Sequence, residues 1–250
     1  MILARPIPPS DWMTGVLASC QTVDFHLPAR QEETACWRWI TPAFLREPLL
    51  VPDLLAPFEA RFGEGTDRRA IAARWSHLYG CITLPSLLTA LALCDWQGDL
   101  RLAAPVLRLA LAEDASPQRL LFLSAAASPR RSLAERWQEL MVDHFAPLHQ
   151  GLAAWSGVSP RVLWGNVAAL VCWSLDELHR QHKRRVAAAV DAARAVMLAS
   201  PTLYDGSANP VHGCLRPRPD GSQQRKVCCL SYLLPDETLC PSCPLPPPRL

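Results

Sequence analysis

The sequence predicts an α+β protein: a mainly helical body with a small β-hairpin inside it, followed by a C-terminal hairpin and tail that gather four cysteines. Three observations carry this. Apolar residues recur at helical spacing over most of residues 66–200. Two short apolar runs, "PVLRLALAE" and "QRLLFLSAA", interrupt that pattern around a "DASP" turn. After Pro201 the composition shifts to Gly, Pro, Asn and Asp, and "CCLSYLLPDETLCPSC" closes the chain with four of its ten cysteines.

The elements follow in order. Residues 1–65 are punctuated by proline and read as an irregular N-terminal region, with a short helix capped by Ser10-Asp11 and running to Cys20, and another in "PDLLAPFEARF". Residues 66–200 form the body. In "TDRRAIAARWSHLYG" Ile71, Trp75 and Leu78 share a helical face and Gly80 reads as its stop; a second helix follows Pro85. After the hairpin, Ser132 and Glu135 have capping-box spacing ahead of Trp137, Leu140 and Met141, and Pro147 should kink or end that helix. Ser159-Pro160 places cap and first helical residue in the preferred order, and residues 161–199 supply about two helices of good formers. Residues 201–250 hold two short strands around Pro219-Asp220-Gly221, then the cysteines; the three regions together suit one compact domain.

Half of the 250 residues are hydrophobic and nine are Trp, so the chain can bury a core without disulfide staples. A net charge of +2 without a basic stripe argues against nucleic-acid binding. The run "HRQHKRR" reads as a solvated helix end, with His179 and His182 as surface residues. No secretory signal pattern appears, and no run of 18 uninterrupted apolar residues, so the expected location is the cytoplasm without a membrane span. In that reducing setting clustered cysteines become candidate metal ligands or redox groups. The scattered Cys20, Cys36, Cys81, Cys94, Cys172 and Cys214 read as small buried hydrophobes.

The cluster has the spacing C-C-x10-C-x2-C, formed by Cys228, Cys229, Cys240 and Cys243. A structural zinc site would use "CPSC" as one knuckle, but adjacent residues of an extended chain project to opposite faces, and zinc knuckles usually separate their ligands by two to four residues. Two irons bridged by sulfides present a wider target for such a spacing. A thioredoxin-like pair belongs at a helix N-terminus in a βαβ context rather than in a proline-rich tail. Spacing alone leaves iron-sulfur and zinc both open.

The motif resembles the FhuF-type ferric-siderophore reductases. So, in order and spacing, do "RWSHLYGCITLPSLLTALALC" (74–94), "LWGNVAALVCWSLDEL" (163–178) and "NPVHGCLRPRPDGSQQRKVCCLSYLLPDETLCPSCP" (209–244). The resemblance implies an oxidoreductase in which Cys228, Cys229, Cys240 and Cys243 bind a [2Fe-2S] cluster. Its expected work is one-electron reduction of a ferric siderophore, of the hydroxamate type, with release of Fe(II). Trp164, Asn166 and Trp173 are candidates for a substrate-docking surface, and Arg216, Arg218, Arg225 and Lys226 for offsetting the cluster's charge of about −2. No G-x-G-x-x-G follows a strand, so electrons should come from a partner such as a ferredoxin or flavodoxin-type reductase. The competing readings are a non-enzymatic protein with a four-cysteine zinc site, and a [2Fe-2S] electron carrier or iron sensor.

Overall fold

The computed structural model describes residues 23–24, 38–105, 107–122, 130–240 and 243–246. The helix expected between Ser10 and Cys20, and Cys36, lie outside them. The expected hairpin is present as β3 (Leu107–Leu111) and β4 (Pro117–Phe122), antiparallel with a register irregularity at Ala110/Leu111. Two strands flank it: β2 (Arg38–Ile40) pairs antiparallel with β3, and β1 (Val23–Asp24) pairs parallel with β4, giving the order β1-β4-β3-β2. Residues 38–60 thus belong to the body, which corrects the expectation that the chain is irregular up to residue 65. Ile40, Leu45, Leu55 and Phe58 are buried there, the last two on α1 (Val51–Ala60), the helix expected in "PDLLAPFEARF".

The central helix is α2 (Arg68–Leu93), capped by Asp67, whose side chain accepts from the Arg69 backbone N–H at 2.9 Å. It passes through both Gly80 and Pro85, where the sequence predicts a stop and a restart. At Gly80 a Cβ would lie 2.6 Å from Leu170 Cδ1, so the glycine serves a close helix crossing rather than an end. Pro85 forfeits one helical hydrogen bond and costs about 3 kcal/mol. Burial of Leu84, Leu87 and Leu88 contributes roughly 1.5–3 kcal/mol each and outweighs it. This helix is long and apolar enough to cross a bilayer, and most of that apolar stretch is buried inside the fold.

The capping box at Ser132 and Glu135 opens α3 (Leu133–Gln138) as predicted. The chain then passes through a π-helical stretch, Glu139–Phe145, into α4 (Ala146–Ser156) without the break expected at Pro147. Pro147 lacks the N–H that would bond the Asp143 carbonyl, and that carbonyl accepts instead from the Leu102 N–H at 2.9 Å. Ser159 caps α5 (Pro160–His182), its hydroxyl accepting from the Arg161 N–H at 3.3 Å. A short 3-10 turn, Lys183–Arg185, leads to α6 (Ala187–Arg194). The crossed pair α2 and α5 carries the C-terminal hairpin, β5 (Leu215–Pro217) and β6 (Gln223–Arg225), on α5. Its turn closes through the Arg218 N–H donating to the Ser222 carbonyl at 2.8 Å, with Gly221 at φ +82°.

Candidate metal centre

Two residues beyond β6 the chain enters the cysteine segment. Leu230 adopts φ +66°, a left-handed conformation that a branched residue enters at a cost of roughly 1–2 kcal/mol. The kink ends the extended run directly after the cysteine pair and turns the Leu230 N–H onto Cys228 Sγ at 3.4 Å. It also answers the objection raised by adjacency, because the two neighbours no longer serve one point. Cys228 Sγ lies 3.7 Å from Cys243 Sγ, and Cys229 Sγ lies 3.8 Å from Cys240 Sγ.

Those separations have chemical meaning. Thiolates that hold an ion tetrahedrally at about 2.3 Å stand about 3.8 Å apart. Each pair therefore has the spacing of one edge of a metal tetrahedron, and each draws one cysteine from "CC" and one from "CPSC". Among the described residues, no three His, Cys, Asp or Glu side chains converge on a single-ion position. Two thiol pairs side by side fit a binuclear centre better than one zinc. Cys228, Cys229 and Cys243 are buried and Cys240 is partly exposed.

The electrostatics of the pairs differ. Burial, then the neighbouring Cys243 and Cys229, push the Cys228 thiol up to about 11 against the Leu230 N–H. For Cys229 burial is overcome by hydrogen bonding from Ser231, whose Oγ is 3.3 Å away, and by the charge of Arg225, so this thiol falls below its ordinary value. Cys240 is raised by burial and by Cys229, with Arg225 opposing.

Of the four basic residues singled out in the sequence, Arg225 is the one buried at the thiols. Its Nη2 donates to Cys240 Sγ at 3.3 Å and its Nη1 to Asn166 Oδ1 at 3.0 Å. Asn166 in turn donates from Nδ2 to the Ala73 carbonyl at 3.1 Å, so a continuous polar strut runs from α2 through α5 to the cysteines. Arg216 instead pairs with Gln224 on the exposed hairpin, at 2.9 Å. The three docking candidates separate in space. Asn166 is almost fully buried and lines the cavity described next; Trp164 packs edge-on against His149 with ring centres 4.4 Å apart; Trp173 is exposed about two turns along α5 from Asn166. Neither tryptophan lines that cavity. Cys214 donates to the Pro210 carbonyl at 3.4 Å, and His179 is exposed.

The cavity holds about 250 Å³ and has Cys229 and Cys240 in its wall, together with Asn166, Arg225 and Ser231. Arg74 and His77 of α2 line it too, and Arg74 reaches Glu237 of the tail at 3.3 Å. Burial, followed by the charges of Arg225 and Arg74, lowers His77 to about 4 and keeps it neutral near pH 7. Sequence reasoning missed Arg74, His77 and Glu237. The signal available was the polar pair Arg74/His77 at i, i+3 within an otherwise apolar helix.

A mainly helical α+β body with a four-thiol, two-pair site on its C-terminal segment defines an iron-sulfur protein of unusual ligand order. Residues 74–223 match the family described as ferric iron reductase FhuF-like transporter, and residues 225–245 match the FhuF 2Fe-2S C-terminal domain. The chain belongs to the FhuF family, and its cofactor is a [2Fe-2S] cluster. A ferric siderophore reductase of Escherichia coli (strain K12) is 30% identical over 110 residues, a stretch spanning 44% of this chain and 40% of that protein.

Proposed function

We propose that this chain is a cytoplasmic ferric-siderophore reductase in which Cys228, Cys229, Cys240 and Cys243 hold the [2Fe-2S] cluster. The observation that supports it most is the two-pair thiol geometry beside an open polar cavity. The bound cluster supplies a one-electron couple. Around it the protein's own residues do the rest. Arg225 and Ser231 donate hydrogen bonds to sulfur, the buried side of Cys228 and Cys243 excludes water, and Cys240 lies toward the surface. A cavity of 250 Å³ is below the usual range of about 300–1,000 Å³ for a pocket enclosing a drug-sized ligand. A bulky ferric complex would therefore dock at its mouth, where the bound cluster would supply the electron without a shared ligand.

Hard oxygen donors hold ferric iron tightly, and the softer ferrous ion exchanges faster, so one electron is enough to free the metal. A hydroxamate complex, neutral or cationic, suits a negatively charged cluster better than an anionic catecholate does. The electron donor is a ferredoxin or flavodoxin-type protein. The test is anaerobic purification with iron, sulfide and zinc analysis, EPR after dithionite reduction, then mixing with a ferric hydroxamate and a ferrous trap. Expected are two irons and two sulfides per chain and stoichiometric trapped Fe(II). One zinc without sulfide would sink the proposal, and a reduced cluster that no ferric siderophore reoxidises would leave a carrier or sensor instead.

A further inference from the structure

The two thiol pairs sit in unlike surroundings. Around Cys229 and Cys240 are the Arg225 guanidinium, 3.3 Å from Cys240 Sγ, the Ser231 hydroxyl, 3.3 Å from Cys229 Sγ, and the cavity. At the other pair, the Leu230 N–H reaches Cys228 at 3.4 Å, and Gln224 Nε2 donates at 2.7 Å to the Cys243 carbonyl rather than to its sulfur. Uptake of one electron turns one of two ferric ions ferrous and makes the charge one unit more negative. Hydrogen bonds to sulfur and a nearby cation favour that extra charge where they act.

We infer that Arg225 is a positioning residue that makes the iron held by Cys229 and Cys240, on the side facing the cavity, the one that takes up the electron, while the iron held by Cys228 and Cys243 stays ferric. The inference rests on the assignment of the four cysteines as ligands. It adds which cysteines share an iron and which end of the cluster is reduced. Arg225 suits this work because it does not move freely: Asn166 holds its other nitrogen, and Asn166 is anchored on the Ala73 carbonyl. The guanidinium is thus fixed before any charge arrives, so little reorganisation accompanies the transfer. Its Nε is buried and has no partner among the described residues, so the guanidinium's contacts to Asn166 and Cys240 are the ones that hold it.

The test uses the full chain loaded with its cluster, and reads the midpoint potential by EPR-monitored titration together with iron and sulfide content. Arg225→Gln should retain two irons and lower the reduction equilibrium about tenfold, 59 mV for one electron. Arg225→Lys, which keeps the charge, should recover part of that shift, and Ser231→Ala should lower the potential by a smaller step. Arg216→Gln on the exposed hairpin should leave it unchanged. Serine variants test the pairing, since an alkoxide is a harder donor that favours ferric iron. Cys229→Ser and Cys240→Ser should resemble each other with the larger drop, and Cys228→Ser and Cys243→Ser should resemble each other with the smaller one. A potential unmoved in both Arg225→Gln and Ser231→Ala, at full iron content, overturns the polarity. Serine variants that group instead as 228 with 229 overturn the pairing. Failure of the parent protein to carry sulfide would instead overturn the ligand assignment itself, so the two failures are distinct.

Discussion

Replacing Asn166 by leucine keeps most of the side-chain volume but removes both ends of the strut between α2 and the cysteine segment. The bond from Asn166 to the Ala73 carbonyl is a neutral one inside the protein, worth about 1 kcal/mol. The bond it accepts from Arg225 involves a charge and is worth about 1.5–3 kcal/mol, because the guanidinium left behind is buried. The expected loss is on the order of 3 kcal/mol, which for a chain of this size lowers Tm by about 6–12 °C. The assay is anaerobic denaturant unfolding of the cluster-loaded chain, followed by circular dichroism, for Asn166→Leu, Arg225→Met and the double variant. Two residues acting through one bond should show a coupling of about 1.5–3 kcal/mol in the cycle. Effects that add to within about 0.5 kcal/mol would refute the strut. So would a variant of unchanged stability that had merely lost affinity for a ferric siderophore, since that outcome would restore Asn166 to the docking role its sequence context suggests.

Two further predictions concern the body that carries the site. An added Cβ at Gly151 on α4 would stand 2.0 Å from the Leu45 carbonyl oxygen, a backbone atom that cannot swing aside, whereas one at Gly165 on α5 would meet nothing within 4 Å. Gly151→Ala should therefore cost about 3 kcal/mol or more, and Gly165→Ala should gain about 0.5–1 kcal/mol from helix propensity, both read from denaturation midpoints. Burial lowers His144 to about 4, against its bond to the Leu100 carbonyl, and burial and then His144 lower His149 to about 3. Both folded values lie below the unfolded value of about 6.5. The unfolded chain therefore binds more protons, and stability present above pH 6.5 is lost as pH falls toward 4. At pH 5 the loss is about 2 kcal/mol for each histidine, and His149→Phe should flatten the stability-against-pH slope by about one proton. A parent slope near zero between pH 6 and 5 would contradict this.

What was legible in the sequence and what was not divide along the range of the interactions involved. Ser132 with Glu135, Ser159 with Pro160, and the Pro219-Asp220-Gly221 turn announce themselves because cap and turn bonds join residues two to four apart. The four-cysteine motif is legible for the same reason, since its spacing is written within sixteen residues. Gly80 and Pro85 misled because their local cost is real, and the compensation comes from Leu170, 90 positions away, and from leucines buried against other elements. The edge strand Arg38–Ile40 escaped notice because three residues carry almost no periodicity and its partner β3 lies far along the chain. Arg225 was one of four equal candidates in the sequence. Its contacts with Asn166, 59 positions earlier, and with Cys240 separate it from Arg216, which pairs with Gln224.

That long-range contact bears on how the cysteine segment is held. A tail with Pro235, Pro241 and Pro244 among its cysteines has little capacity to form a core of its own. In the structure Leu234 is buried in the core with Leu230 and Leu233 packed against it, and polar links add to this hold: Arg225 to Asn166, Arg74 to Glu237, and Gln224 to the Cys243 carbonyl. Of the β6 residues, Arg225 ties the hairpin to α5 and Gln224 ties it to the tail. The thiols of Cys240 and Cys243 complete pairs with Cys229 and Cys228, which follow the hairpin directly. Metal binding to such a half-formed site supplies folding free energy to the remaining half. On the proposed assignment the adjacent cysteines, a poor start for one ion, are a good start for two: each would give one ligand to its own pair, and Cys243 and Cys240 would supply the second ones.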